Sequence, residues 1–141
     1  MSRPLRVLLI DDSAADRFLA EEAFSLTDDL ICTLTTAASG PEALARLTSP
    51  DVILPDVVLL DINMPLMDGF AVLSAFKADP VLHLLPVVMF STSQGEHDIA
   101  HAYTLQASAY LLKSTHFHTF LEQIEAFISF WNRASLPHRR V

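Results

Sequence analysis

The chain has 141 residues, a formal net charge of -8 and 51% apolar residues. That length fits one domain around one core, and the acidic balance argues against nucleic acid or an anionic membrane as the main partner, since the basic end His138-Arg139-Arg140 is too short to reverse it. No apolar run nears the ~18 residues that span a bilayer, no charged-then-apolar leader opens the chain, and Cys32 is the single cysteine, which together read as a reducing cytoplasm without disulfides.

The first strand is expected over residues 5–10, where Val7-Leu8-Leu9-Ile10 is an apolar run that stops at Asp11-Asp12-Ser13. Ser13 can cap a helix over 14–25, with Phe18, Ala20, Ala23 and Phe24 inward. Thr27-Asp28-Asp29 breaks it. Residues 30–36 are rich in β-branched side chains and only loosely alternating, which reads as an edge strand. Ser39-Gly40-Pro41 starts a second helix, with Pro41 tolerated in its first turn and Ala43, Leu44 and Leu47 on its apolar face.

Residues 48–55 hold two prolines and read as a loop. The third strand is expected over 56–61. Its Val57-Val58-Leu59-Leu60 run suits a strand buried on both faces, and it ends at Asp61. Pro65 and Asp68-Gly69 turn the chain into a helix over 70–78, which Asp79-Pro80 ends. A strand over 86–90 delivers Ser91-Thr92-Ser93. A helix over 96–105, a strand over 109–112 ending at Lys113, and a helix over 115–133 complete the series.

Strand then helix, five times over, predicts an α/β fold: a doubly wound parallel sheet with helices on both faces. Right-handed crossovers leave few topologies, and the flavodoxin-like order 2-1-3-4-5 makes the first and third strands neighbours. Their acidic ends then share one crevice. An aspartate at a strand end is often a cap or turn residue. Three carboxylates from two adjacent strand ends repel one another, however, unless a cation or a proton sits among them. Mg2+ suits a few carboxylates, waters and a phosphate. Asp61 stands alone at its strand end, between the Asp11-Asp12 pair and the Ser91 and Lys113 ends, which makes it the natural acceptor of a phosphoryl group.

These residues resemble a response-regulator receiver domain, the CheY-like module of two-component signalling. The resemblance covers 5 to about 131 and rests on Asp11-Asp12, Leu59-Leu60-Asp61-Ile62-Asn63-Met64-Pro65 with Met67-Asp68-Gly69, Ser91, and Tyr110-Leu111-Leu112-Lys113. It implies that Asp61 takes a phosphoryl group from the histidine of a sensor kinase. It implies that Mg2+ is held by Asp12, Asp61 and the backbone carbonyl of Asn63, with Asp11 acting through water. Lys113 would pair with the phosphoryl oxygens. Ser91 and Tyr110 would form the switch, and Asn63 and Ser93 would tune hydrolysis. One departure stands out: Ser114 occupies the place of the family's proline, and without proline a trans peptide after Lys113 is expected.

The last helix carries Phe117, Phe120, Leu121, Ile124, Phe127, Ile128 and Trp131 on one face, with Phe130 off the stripe. Trp131 and the Ala134-Ser135-Leu136-Pro137 extension resemble single-domain regulators that partner phytochrome-like histidine kinases, in which such extensions help form homodimers. Residues 132–141 therefore read as a C-terminal extension of a single domain. With no output domain expected after Lys113, signalling would pass through a protein-contact surface to a downstream or phosphotransfer protein.

His97 and His101 sit at a metal-binding helical spacing, but no third ligand is evident, and they read as surface histidines. Met64 and Met67 read as packing residues. A phosphatase or phosphomutase using an aspartyl nucleophile would want a carboxylate where Asn63 stands, so the chain reads as a phosphoacceptor with at most slow self-dephosphorylation, not an enzyme. The alternative is a receiver-like binding module that never turns over phosphate. Such modules generally lose acidic or lysine positions that are all present here.

Overall fold

The computed structural model describes residues 3–27 and 31–137. Asp28, Asp29, Leu30 and the basic end at 138–140 lie outside the described residues. Five parallel strands form one sheet in the order β2-β1-β3-β4-β5. They are β1 (Leu5–Ile10), β2 (Cys32–Ala37), β3 (Val57–Leu60), β4 (Val87–Ser91) and β5 (Ala109–Leu112). The helices are α1 (Ala14–Ser25), α2 (Gly40–Leu47), α3 (Gly69–Ala78), α4 (Glu96–Thr104) and α5 (Phe117–Arg133), with a short 3-10 turn at Leu82–Leu84. This is the flavodoxin-like arrangement expected from the strand-helix alternation.

The alternation of side chains along each strand divides the core in two. Leu8, Ile10, Val58, Leu60, Val87 and Met89 face α2, α3 and α4, packing on Ala43, Val72 and Phe76. Leu5, Val7, Leu9, Val57, Leu59 and Val88 face α1 and α5, packing on Phe24, Ile124 and Ile128. Both faces of β3 are therefore buried, as its unbroken apolar run requires. Polar side chains cap α1, α2 and α3: Ser13 accepts from the Asp16 N–H, Ser39 from the Glu42 N–H and Asp68 from the Ala71 N–H.

Two inward assignments need correction. Phe18 is 59% exposed, not inward. Side chains two apart on a helix point about 200° away from each other, so burying Ala20 turns Phe18 outward. Phe117 is also exposed, at 40%; it opens α5 at the rim of a cavity, with its ring 6.4 Å from that of the buried Phe120. Asp56 precedes β3 rather than belonging to it. It is buried at the amino edge of the sheet, where it pairs with Arg3 at 2.7 Å and accepts from the Arg6 N–H at 2.8 Å.

Register places the strand ends. Ile10 pairs with both Ala37 and Leu60, so β1 and β3 finish level. The Asp61 N–H then donates to the Ile10 carbonyl at 3.0 Å, and the Asp11 N–H to the Ala37 carbonyl at 3.1 Å. On the other side, the Lys113 N–H donates to the Ser91 carbonyl at 2.8 Å.

Candidate functional site

The level strand ends bring Asp11, Asp12 and Asp61 together: each offers a carboxylate oxygen, and these lie within 4.8 Å of one another. Among the described residues this is the only such group of potential metal ligands. Asp11 and Asp61 are nearly inaccessible, at 1% and 8% exposure, whereas Asp12 is open to solvent. The donor set is all hard oxygen, with one open side, which fits a divalent cation that keeps some of its waters.

The same packing tunes the central carboxyl. Burial pushes the Asp61 carboxyl up to about 6; Lys113 pulls it back, and Asp11 and Asp12 push it further. Asp11 is held by the Ser13 N–H, which donates to Oδ1 at 2.9 Å. Arg17 donates to the Asp11 carbonyl at 2.8 Å.

Lys113 completes the site. Its Nζ donates to Asp11 Oδ2 at 2.9 Å and to Asp16 Oδ2 at 3.2 Å, and lies 5.6 Å from the centre of the Phe90 ring. Burial works against its charge, but the bond to Asp11 and the fields of Asp61 and Asp16 hold its pKa above the ordinary lysine value. Asp16 does not figure in the sequence reading. As the first acid after the Ser13 cap it looks like any residue favoured by a helix dipole; only the fold brings it to a lysine 97 positions away. A cavity of about 260 Å³ opens beside this pair, walled by Leu19, Phe117 and Phe120.

Ser91 is fully buried at the end of β4, where its Oγ accepts from the Ser93 N–H at 3.2 Å. Ser93 in turn donates to Asp98 at 2.6 Å. The Tyr110 hydroxyl donates to the Ser93 carbonyl at 2.9 Å, tying β5 to the loop before α4. Asn63 is exposed on the loop between β3 and α3. That loop is pinned by Gly69: its N–H donates to the Ile62 carbonyl at 2.9 Å, and a Cβ there would lie 2.3 Å from the Asp61 carbonyl oxygen. Only glycine lets α3 start this close to the Asp61 backbone.

The peptide after Lys113 is trans, as expected without proline. The rings of His97 and His101 are 6.4 Å apart on the exposed side of α4, and Phe70 stacks on His101 at 4.3 Å. They remain surface histidines, outside the acidic group. Met64 is buried in the core and Met67 packs against it. No helix among the described residues is long and apolar enough to cross a membrane.

The model of the response regulator receiver domain matches residues 7–125. The chain belongs to that family. As a receiver domain it is a response regulator of two-component systems. It is 34% identical over 135 residues to the response regulator Rcp1 of Synechocystis sp., which covers 91% of this chain and 89% of that protein. Among solved structures, the phosphorylated cyanobacterial phytochrome response regulator RcpA superposes with a TM-score of 0.87 at 34% identity, covering 95% of this chain and 99% of that one. The Mn2+-bound form of Rcp1 does so with a TM-score of 0.84 at 33% identity, covering 95% and 99%. A divalent metal thus occurs in a solved structure of a relative, and Asp11, Asp12 and Asp61 are a group that could hold a metal ion in this chain.

Proposed function

We propose that the chain is a single-domain response regulator that accepts a phosphoryl group on Asp61 from the histidine of a sensor kinase. The observation that carries this is the convergence of Asp61 with two further carboxylates and the Lys113 ammonium at one sheet edge. In the transfer, an Asp61 carboxylate oxygen forms a bond to phosphorus as the phosphorus–nitrogen bond to the kinase histidine breaks. The imidazole leaves with the electron pair. Catalysis of this kind is mostly positioning and neutralisation of charge.

Mg2+ is the cation we assign to the site: Asp12, Asp61 and the Asn63 backbone carbonyl would hold it, with Asp11 acting through water, and its positive charge would offset that of the phosphoryl oxygens on one side. Lys113 serves the other side, passing from Asp11 to the phosphoryl group. Ser91 supplies a hydroxyl donor to the same oxygens once it gives up the Ser93 N–H. That movement strains the Tyr110 bond to Ser93, and the loop before α4 follows. Output is a changed contact surface read by a downstream protein or phosphotransfer protein in the cytoplasm, and the chain is a phosphoacceptor rather than an enzyme.

The likeness to Rcp1 and to a phytochrome response regulator over nearly the whole chain supports a phytochrome-like kinase as the donor. A homodimer through the C-terminal region is supported by Phe130, 64% exposed on α5, edge-on to Trp131 at 5.1 Å beside an apolar groove of about 340 Å³. The extension reaches the body of the domain through Leu136, which packs on the α1–α5 core.

Intact mass after incubation with acetyl phosphate, with and without Mg2+, tests the chemistry. One phosphoryl adduct that needs Mg2+ and vanishes in Asp61→Asn is the expected result. A folded protein that gains no adduct under any condition is instead a receiver-like binding module. Light scattering of Phe130→Glu tests the dimer: a wild-type mass equal to one chain, unchanged in the variant, removes it.

A further inference from the structure

The loop after β5 is held by a side chain outside the acidic site. Gln123, on the second turn of α5, donates from Nε2 to the Leu112 carbonyl at 2.5 Å. It accepts at Oε1 from the Ser114 N–H at 3.1 Å. One amide thus grips the peptide groups on both sides of Lys113. The N–H of Lys113 itself is bound to the Ser91 carbonyl at 2.8 Å. Three consecutive residues are fixed at their backbone as the lysine turns toward Asp11 and Asp16.

We propose that Gln123 is a positioning residue for Lys113, and that it does so through an N–H that a proline at position 114 would lack. Its orientation is determined: turned over, the amide would set oxygen against the Leu112 carbonyl and N–H against N–H. Its base is firm, because Phe120, Ile124 and Phe127 bury the adjoining face of α5. Ser114 also accepts from the His116 N–H through Oγ at 3.2 Å, so it links the clasp to the start of α5. A serine at 114 gives up the fixed φ of a proline ring. The clasp restores a fixed path from the outside, in a trans chain.

The inference rests on the phosphoacceptor reading of Asp61, and two measurements separate the two. The first is amide hydrogen exchange at Ser114 by NMR. Gln123→Leu should speed it about tenfold or more, and Gln123→Glu, which keeps the acceptor and loses the donor to Leu112, should speed it less. The second is the rate of phosphorylation by acetyl phosphate with Mg2+. Gln123→Leu should slow it about tenfold, the loss of roughly two hydrogen bonds' worth of alignment. In a Lys113→Ala background the same change should have no further effect, whereas a merely structural role would slow both backgrounds alike. Unchanged Ser114 exchange, or an equal slowing in the Lys113→Ala background, overturns the proposal. A wild type that takes no phosphoryl group removes the phosphoacceptor reading, and with it the role of Gln123 in transfer, while Ser114 exchange still decides the clasp.

Discussion

The Lys113 ammonium lies 2.9 Å from Asp11 and 3.2 Å from Asp16, so the cation that faces the acidic site is already shared between two carboxylates. Asp11 would turn to a metal; Asp16 would stay. Asp16 therefore competes with phosphoryl oxygens for the same ammonium. Its side chain is 42% exposed, and solvent screens such a pair to less than about 1 kcal/mol. Asp16→Asn should accordingly give a modest gain, roughly two- to fivefold, in the lifetime or yield of the acetyl-phosphate adduct. Phosphorylated protein followed by intact mass over time measures it; a shorter lifetime would show that Asp16 supports Lys113 rather than distracts it.

The raised pKa of Asp61 makes its charge a burden on the metal-free fold. The native carboxyl, with a pKa near 6, holds its proton where the unfolded chain has lost it, so the native state binds more protons between about 4 and 6. Stability therefore falls as pH rises through that window. Above it both states are ionised and the full penalty remains. Asp61→Asn should stabilise the metal-free protein by roughly 1–3 kcal/mol at pH 7 and by almost nothing at pH 3. Urea titrations at the two pH values in a chelating buffer check this. Adding Mg2+ should narrow the gap, because only the wild type gains stability from binding it.

The strand-end aspartates are legible in the chain because apolar runs that stop at a carboxylate leave little choice of where that carboxylate goes. Once β1 and β3 are neighbours, the approach of Asp11, Asp12 and Asp61 follows. Lys113 is legible for the same reason. Asp16 and Gln123 are not: both sit on helices, where a polar residue has many possible partners, and only the packing of α1 and α5 against the sheet chooses among them. Phe18 fails differently. An apolar side chain marks a buried face on average, yet the rotation of α1 is fixed by Ala20, Ala23 and Phe24, and Phe18 lies opposite. Asp56 shows the limit of reading any aspartate beside a strand as functional, since it lies at the amino edge, paired with Arg3.

Gly69 ties the fold to the site. An added Cβ would meet the Asp61 carbonyl oxygen at 2.3 Å and the Ile62 Cα at 2.8 Å, both backbone atoms that cannot rotate aside. The start of α3 or the end of β3 must move. Gly69→Ala should cost about 2–4 kcal/mol in stability. It should also weaken Mg2+ binding beyond what an equally destabilising core change does. Phe76→Leu, on the far end of α3, is that control. Equal Mg2+ affinity in Gly69→Ala and wild type would mean that the backbone relaxes without disturbing the carboxylates.

Tyr110 offers a test of the path from the site to the surface. Its hydroxyl donates to the Ser93 carbonyl at 2.9 Å, and Ser93 also binds Asp98 at 2.6 Å and donates its N–H to Ser91. The residue is thus a knot joining β4, β5 and α4. Tyr110→Phe keeps the ring, which packs against the α3–α4 side of the core, and removes only the hydroxyl. The expected loss of stability is about 0.5–1.5 kcal/mol, the net value of one hydrogen bond. The local effect should be larger than the global one. Amide exchange at residues 92–98 should quicken while that of β1 and β3 keeps pace with global unfolding. If the hydroxyl holds the loop in its resting position, the variant should also reach its phosphorylated spectrum with smaller shifts in that segment, because part of the change has already occurred. Identical exchange at 92–98 in both proteins would show that Asp98 and Ser91 hold the loop without Tyr110.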